Sequence, residues 1–135
     1  MVEKVRSEPG SIGYVEVQYA IKLNVPYGSV LNAAGHFVKA SDATLIAACQ
    51  AVEAPGWNKL SASLANAPGA QSFPITSFSW LYLRTVNSDS RRAPALADLL
   101  NWMFTNGQQI ADQEGYSELP PPLLAKVRAK IDSLK

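Results

Sequence analysis

Phe73-Pro74-Ile75-Thr76-Ser77-Phe78-Ser79-Trp80-Leu81-Tyr82-Leu83-Arg84 is the most strand-like stretch of this 135-residue chain. A pleated strand sends successive side chains to opposite faces. Thr76, Phe78, Trp80 and Tyr82 then share one face, and Ile75, Ser77, Ser79, Leu81 and Leu83 share the other. Apolar side chains on both faces predict a strand covered from both sides, as in an α/β lobe. The hydroxyls of Thr76, Ser77 and Ser79 are candidates for a cleft, although hydroxyls on such a strand are commonly only structural.

Upstream, Ser7-Glu8-Pro9-Gly10 breaks the chain, because Pro and Gly together favour a turn. Ile12 to Val17 reads as a strand, being β-branched and aromatic. Val17 to Asn24 has the spacing of a short helix that Pro26 prevents from continuing. Tyr27–Leu31 and His36–Lys39 read as two strands joined through Asn32-Ala33-Ala34-Gly35, which holds the Asn and Gly of a hairpin turn. Ser41 is placed as an N-cap with Asp42 in the first helical turn. Leu45, Ala48-Cys49 and Val52 follow at helical spacing, and Pro55-Gly56 is the expected stop.

Downstream of the quoted strand, Asn87-Ser88-Asp89-Ser90 reads as a turn and Pro94 as an early helical residue. Leu96, Leu99-Leu100 and Met103-Phe104 form the expected buried stripe, with Asn106-Gly107 as its C-terminal stop and a further short helix from Gln108 to Gln113. Pro120-Pro121-Pro122 leads into a last amphipathic helix. Its apolar face is Leu123-Leu124, Val127, Ile131 and Leu134, with Lys126, Arg128 and Lys130 solvated. The fold class is α/β or α+β, with the longest helices at the C-terminal end.

Composition narrows the function classes. The chain is 47% hydrophobic, enough for a core and too much for intrinsic disorder. Twelve basic and eleven acidic residues leave a net charge of +1, which is no electrostatic footprint for nucleic acid. One cysteine, Cys49, and one histidine, His36, cannot by themselves close a disulfide or a zinc site. Cys49 lies in an apolar run and reads as a small buried hydrophobe; His36 follows a turn glycine and reads as solvated. Trp57, Trp80 and Trp102 are expected in the core. No stretch approaches the roughly 18 apolar residues of a membrane span, and Met1–Arg6 has no apolar core of the kind a signal peptide carries.

No enzyme is legible. Ser41, His36 and Asp42 supply the residue types of a triad, but neighbours in a hairpin-to-helix turn do not define triad geometry. Glu3, Glu8 and Glu16 have no evident carboxylate partner for acid–base work. Gly10-Ser11-Ile12-Gly13 lacks the lysine and length of a P-loop.

Four segments resemble the phosphate-binding receptors of ABC-type phosphate importers. Pro9-Gly10-Ser11-Ile12-Gly13-Tyr14-Val15-Glu16-Val17 is similar to that family's PGAIGYVEY signature, and Phe73-Pro74-Ile75-Thr76-Ser77 to its WPITS strand. Leu99 to Gln109 resembles its LKFFDWAYKTGAKQA helix, and Tyr116-Ser117-Glu118-Leu119-Pro120 its YASLP turn. Together they run from residue 8 to 135 in the family's order. The resemblance implies the C-terminal portion of a type II periplasmic-binding-protein fold. Residues 1–56 would end the second lobe, 57–72 would cross between lobes, and 73–135 would return to the first.

The resemblance also implies what to look for and not find. The family draws its phosphate donors from the N-terminal part of the chain and from an Arg-x-Asp-x-Ser-Gly-Thr-like segment. Here Arg91-Arg92 runs into Ala93-Pro94, and Arg84 is followed by Thr85. No catalytic, cofactor, phosphate or metal contact is therefore assigned to any residue. Inorganic phosphate is expected as a ligand only on completion by an N-terminal half, with importer membrane subunits as further partners and the periplasm as the location. Incomplete lobes would leave strand edges and helix faces bare, which predicts a protein partner. The alternative is a structural or interaction subunit that docks the same bare surface on a larger assembly, membrane-bound or not, without transport work.

Overall fold

The computed structural model describes residues 1–52, 60–83 and 92–134. Their elements run α1 (Val2–Ser7), α2 (Val17–Lys22), β1 (Ser29–Leu31), β2 (Phe37–Lys39), α3 (Asp42–Ala51), α4 (Arg92–Gln113) and α5 (Pro121–Asp132). The architecture is mixed helix with a small antiparallel sheet, compatible with a portion of an α/β protein. The expected stop at Pro55-Gly56, the turn at Asn87–Ser90, and Trp57, Arg84 and Arg91 lie outside the described residues.

The hairpin forms as its turn chemistry requires. β1 and β2 pair antiparallel, with Ser29 opposite Lys39 and Leu31 opposite Phe37. Gly35 takes φ +80, a backbone region that costs an L-residue its Cβ clearance. Its N–H donates to the Asn32 carbonyl at 3.0 Å, and the Asn32 N–H donates to His36 O at 2.9 Å. Ser41 then caps α3. Its hydroxyl accepts from the Thr44 N–H, and the Thr44 hydroxyl accepts from the Ser41 N–H, a reciprocal capping box.

α4 departs from the expected pattern. It runs past Asn106-Gly107 to Gln113, so the expected stop and the separate helix at Gln108 are both replaced by one 22-residue helix. A glycine inside a helix costs about 1 kcal/mol relative to alanine; packing along the helix outweighs that here. The true stop is Gly115, at φ +89. Its N–H donates to Asp112 O at 2.9 Å and the Tyr116 N–H to Ala111 O at 2.9 Å, the paired bonds of a Schellman motif. The buried side is also rotated from the expected stripe. Ala97 and Leu100 are buried and Leu96 and Phe104 half-buried, whereas Leu99 and Met103 face outward.

Two clusters make the core. Cys49, Leu64 and Leu123 form one, with Phe78 and Leu119 against it; Ala97, Leu100 and Ile131 form the other, with Leu83 and Phe104 against it. Val127 packs on both, so α5 is the element that joins them. The apolar face of α5 and the buried Cys49 are as the sequence predicts. Arg128 crosses from α5 to donate to Phe104 O at 3.1 Å on α4.

Two predicted strands do not form. Ile12–Val17 has no ladder, and Ile12 is 95% and Tyr14 85% exposed. Residues 75–83 also lie outside any sheet. Period-two burial survives only in part: Pro74 is buried and Thr76 and Phe78 half-buried, while Ile75, Ser77, Ser79 and Leu81 are exposed. Thr76 and Phe78 on one face and Leu83 on the other are thus half-buried, while the remaining side chains of both faces are exposed. Both segments have side chains that suit a pleated surface, but a strand is defined by a paired neighbour. Trp80 and Trp102 are likewise half-exposed or more rather than in the core.

Candidate functional site

The best-formed concavity is an open cleft of about 440 Å³ between the hairpin, the start of α3 and the loop at Ala70-Gln71. Tyr27, His36, Lys39, Ser41 and Thr44 bring its polar groups. Most of these are already engaged. The Ser41 hydroxyl serves the helix cap, and the Thr44 hydroxyl lies 2.9 Å from Lys39 O. Tyr27 Oη donates to Ala40 O at 3.3 Å, while Lys39 Nζ sits 4.3 Å from the Tyr27 ring centroid in a cation–π contact. The hydroxyls of the cleft thus hold the hairpin to the helix.

The residue types of the paper triad are accounted for in the same way. Ser41 is a cap, Asp42 occupies the first turn of α3, and the His36 side chain is exposed at the hairpin, without a hydrogen bond or ion pair among the described residues. The hydroxyls at 76 and 77 are also spent locally: Thr76 donates to Phe73 O at 2.8 Å and Ser77 to Phe78 O at 3.2 Å. Among the described residues no group of three His, Cys, Asp or Glu is arranged to hold a metal ion. No described helix is long and apolar enough to cross a membrane.

One polar centre was not legible in the sequence. Asn32 is only 5% exposed, and its Nδ2 lies 3.1 Å from each of the carbonyls of Gly69, Ala70 and Ser72. Its Oδ1 accepts from the N–H groups of Ala34 and His36. Ser72, buried at 1%, donates its hydroxyl to Pro68 O at 2.6 Å. The signal available beforehand was the Asn that opens a hairpin turn, which foretold the Oδ1 bonds and not the long-range ones. This centre is structural: every polar atom in it has a partner.

What the surface offers is apolar. Ile12, Tyr14, Phe37, Ile75 and Tyr82 are each 73% exposed or more. Contiguous bare apolar surface marks interaction sites. The candidate functional surface is therefore these uncovered segments, 12–15 and 75–82, rather than the cleft.

No family model matches the chain. Individual proteins do. Over 125 residues it is 33% identical to "Phosphate-binding protein PstS" of Xylella fastidiosa (strain 9a5c), covering 93% of this chain and 34% of that protein. Over 131 residues it is 32% identical to "Phosphate-binding protein PstS" of Methanocaldococcus jannaschii, covering 89% of this chain and 34% of that protein. A protein of the same name from Haemophilus influenzae is 28% identical over 129 residues, covering 93% of this chain and 38% of its own length. The chain thus spans about a third of the length of the relatives it matches. They are named as binding proteins rather than enzymes, in agreement with the sequence, where no catalytic set is legible.

Proposed function

We propose, on the premise that the chain is a relative of the phosphate-binding proteins PstS across about a third of their length, that it is a portion of a phosphate receptor that works only in company with the rest of such a fold. Nearly the whole chain aligns to a third of each relative, and the chain leaves large apolar side chains uncovered. That conjunction carries the reading. In it, residues 1–56 end one lobe of a type II binding-protein fold, 57–72 cross between lobes, and 73–135 return to the other.

The ligand of the completed receptor is inorganic phosphate, gripped by donors that the completing polypeptide supplies. The cleft beside β2 supports this division of labour, because its hydroxyls and lysine are already engaged within the chain. In the same reading the completed receptor works in the periplasm and hands phosphate to the membrane subunits of an ABC importer.

Mixing the chain with the remaining two-thirds of a PstS relative and weighing the product by native mass spectrometry tests the reading. A one-to-one complex is expected. Two species that stay separate at equimolar mixing would count against it, and a stable complex with an unrelated protein in the native source would favour an interaction subunit instead.

A further inference from the structure

We infer that the Asn106–Gly107 peptide of α4 is a latent deamidation site, shut while the helix is formed, whose isoaspartate product unfastens α4 from α5. The inference does not rest on the phosphate-receptor reading, and the two fail separately.

The sequence singles the site out. Asn106 is the one asparagine of the chain that glycine follows. The reaction needs the nitrogen of the next residue to reach the asparagine Cγ, and glycine, having no Cβ, crowds that approach least. The Gly107 nitrogen gives up its proton to water and attacks Asn106 Cγ. The N–Cγ bond forms, the Cγ–Nδ2 bond breaks, and Nδ2 leaves as ammonia. Water then opens the cyclic imide at either carbonyl, giving aspartate or isoaspartate. Asn106 is exposed, so water is at hand.

The helix holds the reacting atoms apart. A helical side chain points back toward the helix N-terminus, and Asn106 Nδ2 accordingly lies 3.4 Å from Trp102 O. The carboxamide is thus turned away from the nitrogen it would have to meet. Meanwhile the Gly107 N–H lies within α4, where each N–H bonds the carbonyl four residues back, here that of Met103. Reaction therefore requires local opening, and its rate reports how often this part of α4 opens.

The position of the peptide gives the reaction a consequence. Just before it, Arg128 of α5 donates to Phe104 O at 3.1 Å and reaches Thr105 Oγ1 at 3.4 Å. Just after it, Gln108 Oε1 accepts from the Leu119 N–H at 2.9 Å, at the approach to α5. Isoaspartate routes the main chain through the side-chain Cβ and so adds a methylene to the backbone between these two fastenings. An α-helix closes rings of fixed size and has no place for that extra atom. Aspartate adds a charge but keeps the register.

Peptide mapping by mass spectrometry tests this, on the unaltered chain aged at mildly alkaline pH with and without urea. In urea Asn106 should deamidate ahead of every other asparagine, and without urea it should react about tenfold or more slowly. Gly107→Ala, whose Cβ would meet only Met103 Cβ at 3.8 Å, should suppress the reaction in urea as well. Native chain enriched in isoaspartate should exchange the Leu119 amide hydrogen faster, whereas Asn106→Asp should leave that exchange unchanged. Equal rates with and without urea, another asparagine reacting first in urea, or undiminished reaction in Gly107→Ala would each overturn the inference. So would Leu119 exchange that is the same in the isoaspartate form, Asn106→Asp and the unaltered chain.

Discussion

Asn32 donates its side-chain amide to the backbone carbonyl of Ser72 at 3.1 Å, across 40 residues of chain and in a buried setting. One side chain thereby closes the hairpin turn from within, through Ala34 and His36, and holds the 69–72 loop against it from outside. The next link runs from Phe73 N–H to Thr44 O at 3.1 Å, which ties the same loop to α3.

Asn32→Ala should therefore cost more than an exposed turn asparagine would. It leaves buried carbonyls without a donor, a loss of about 2 kcal/mol. Urea unfolding followed by circular dichroism measures it. Hydrogen exchange should quicken at both 34–36 and 72–73; faster exchange in the turn alone would mean that the link to Ser72 carries no weight.

Gly107 and Gly115 give a contrast within one helix end. Gly115 has φ +89, and a Cβ there would lie 2.5 Å from Gln18 Cβ on α2. Gly115→Ala should destabilise by about 2 kcal/mol or more. At Gly107 a Cβ meets only Met103 Cβ, at 3.8 Å. Gly107→Ala should be neutral or stabilise by up to about 1 kcal/mol. Thermal melts of the two variants should thus move in opposite directions, or one should not move at all.

Leu100 is 2% exposed and sits where α4 meets α5. Leu100→Ala should cost about 3 kcal/mol through lost burial and the cavity left behind. Its helical neighbour Leu99 is 54% exposed, and Leu99→Ala should change stability by less than about 0.5 kcal/mol. Equal losses at the two positions would contradict the observed rotation of α4.

Lys22 and Glu114 form an ion pair at 2.9 Å, with both side chains half-exposed. Lys22→Ala should cost under about 1 kcal/mol, because solvent screens such pairs. Stability measured in low and high salt should differ little for the variant and slightly more for the unaltered chain.

Local chemistry was legible in the sequence wherever a few neighbouring residues decide the outcome. The hairpin through Asn32 and Gly35, the Ser41 cap, the short helix after Val17 and the apolar face of α5 all follow from turn, cap and period rules applied over about ten residues. Elements that depend on distant partners were not legible. Ile12–Val17 and Phe73–Leu83 have strand composition, yet pairing is a property of two segments, and among the described residues neither belongs to a ladder. Gly107 looked like a stop because a sequence does not show the packing that carries a helix through a glycine, whereas Gly115 supplies the positive φ.

Calorimetric titration of inorganic phosphate tests the central claim most directly, run on the chain alone and on the chain mixed with the remaining two-thirds of a PstS relative. The account predicts no binding heat for the chain alone and a saturable, one-site binding curve for the mixture. Saturable phosphate binding by the isolated chain, or none by a complex shown to have formed, would contradict it.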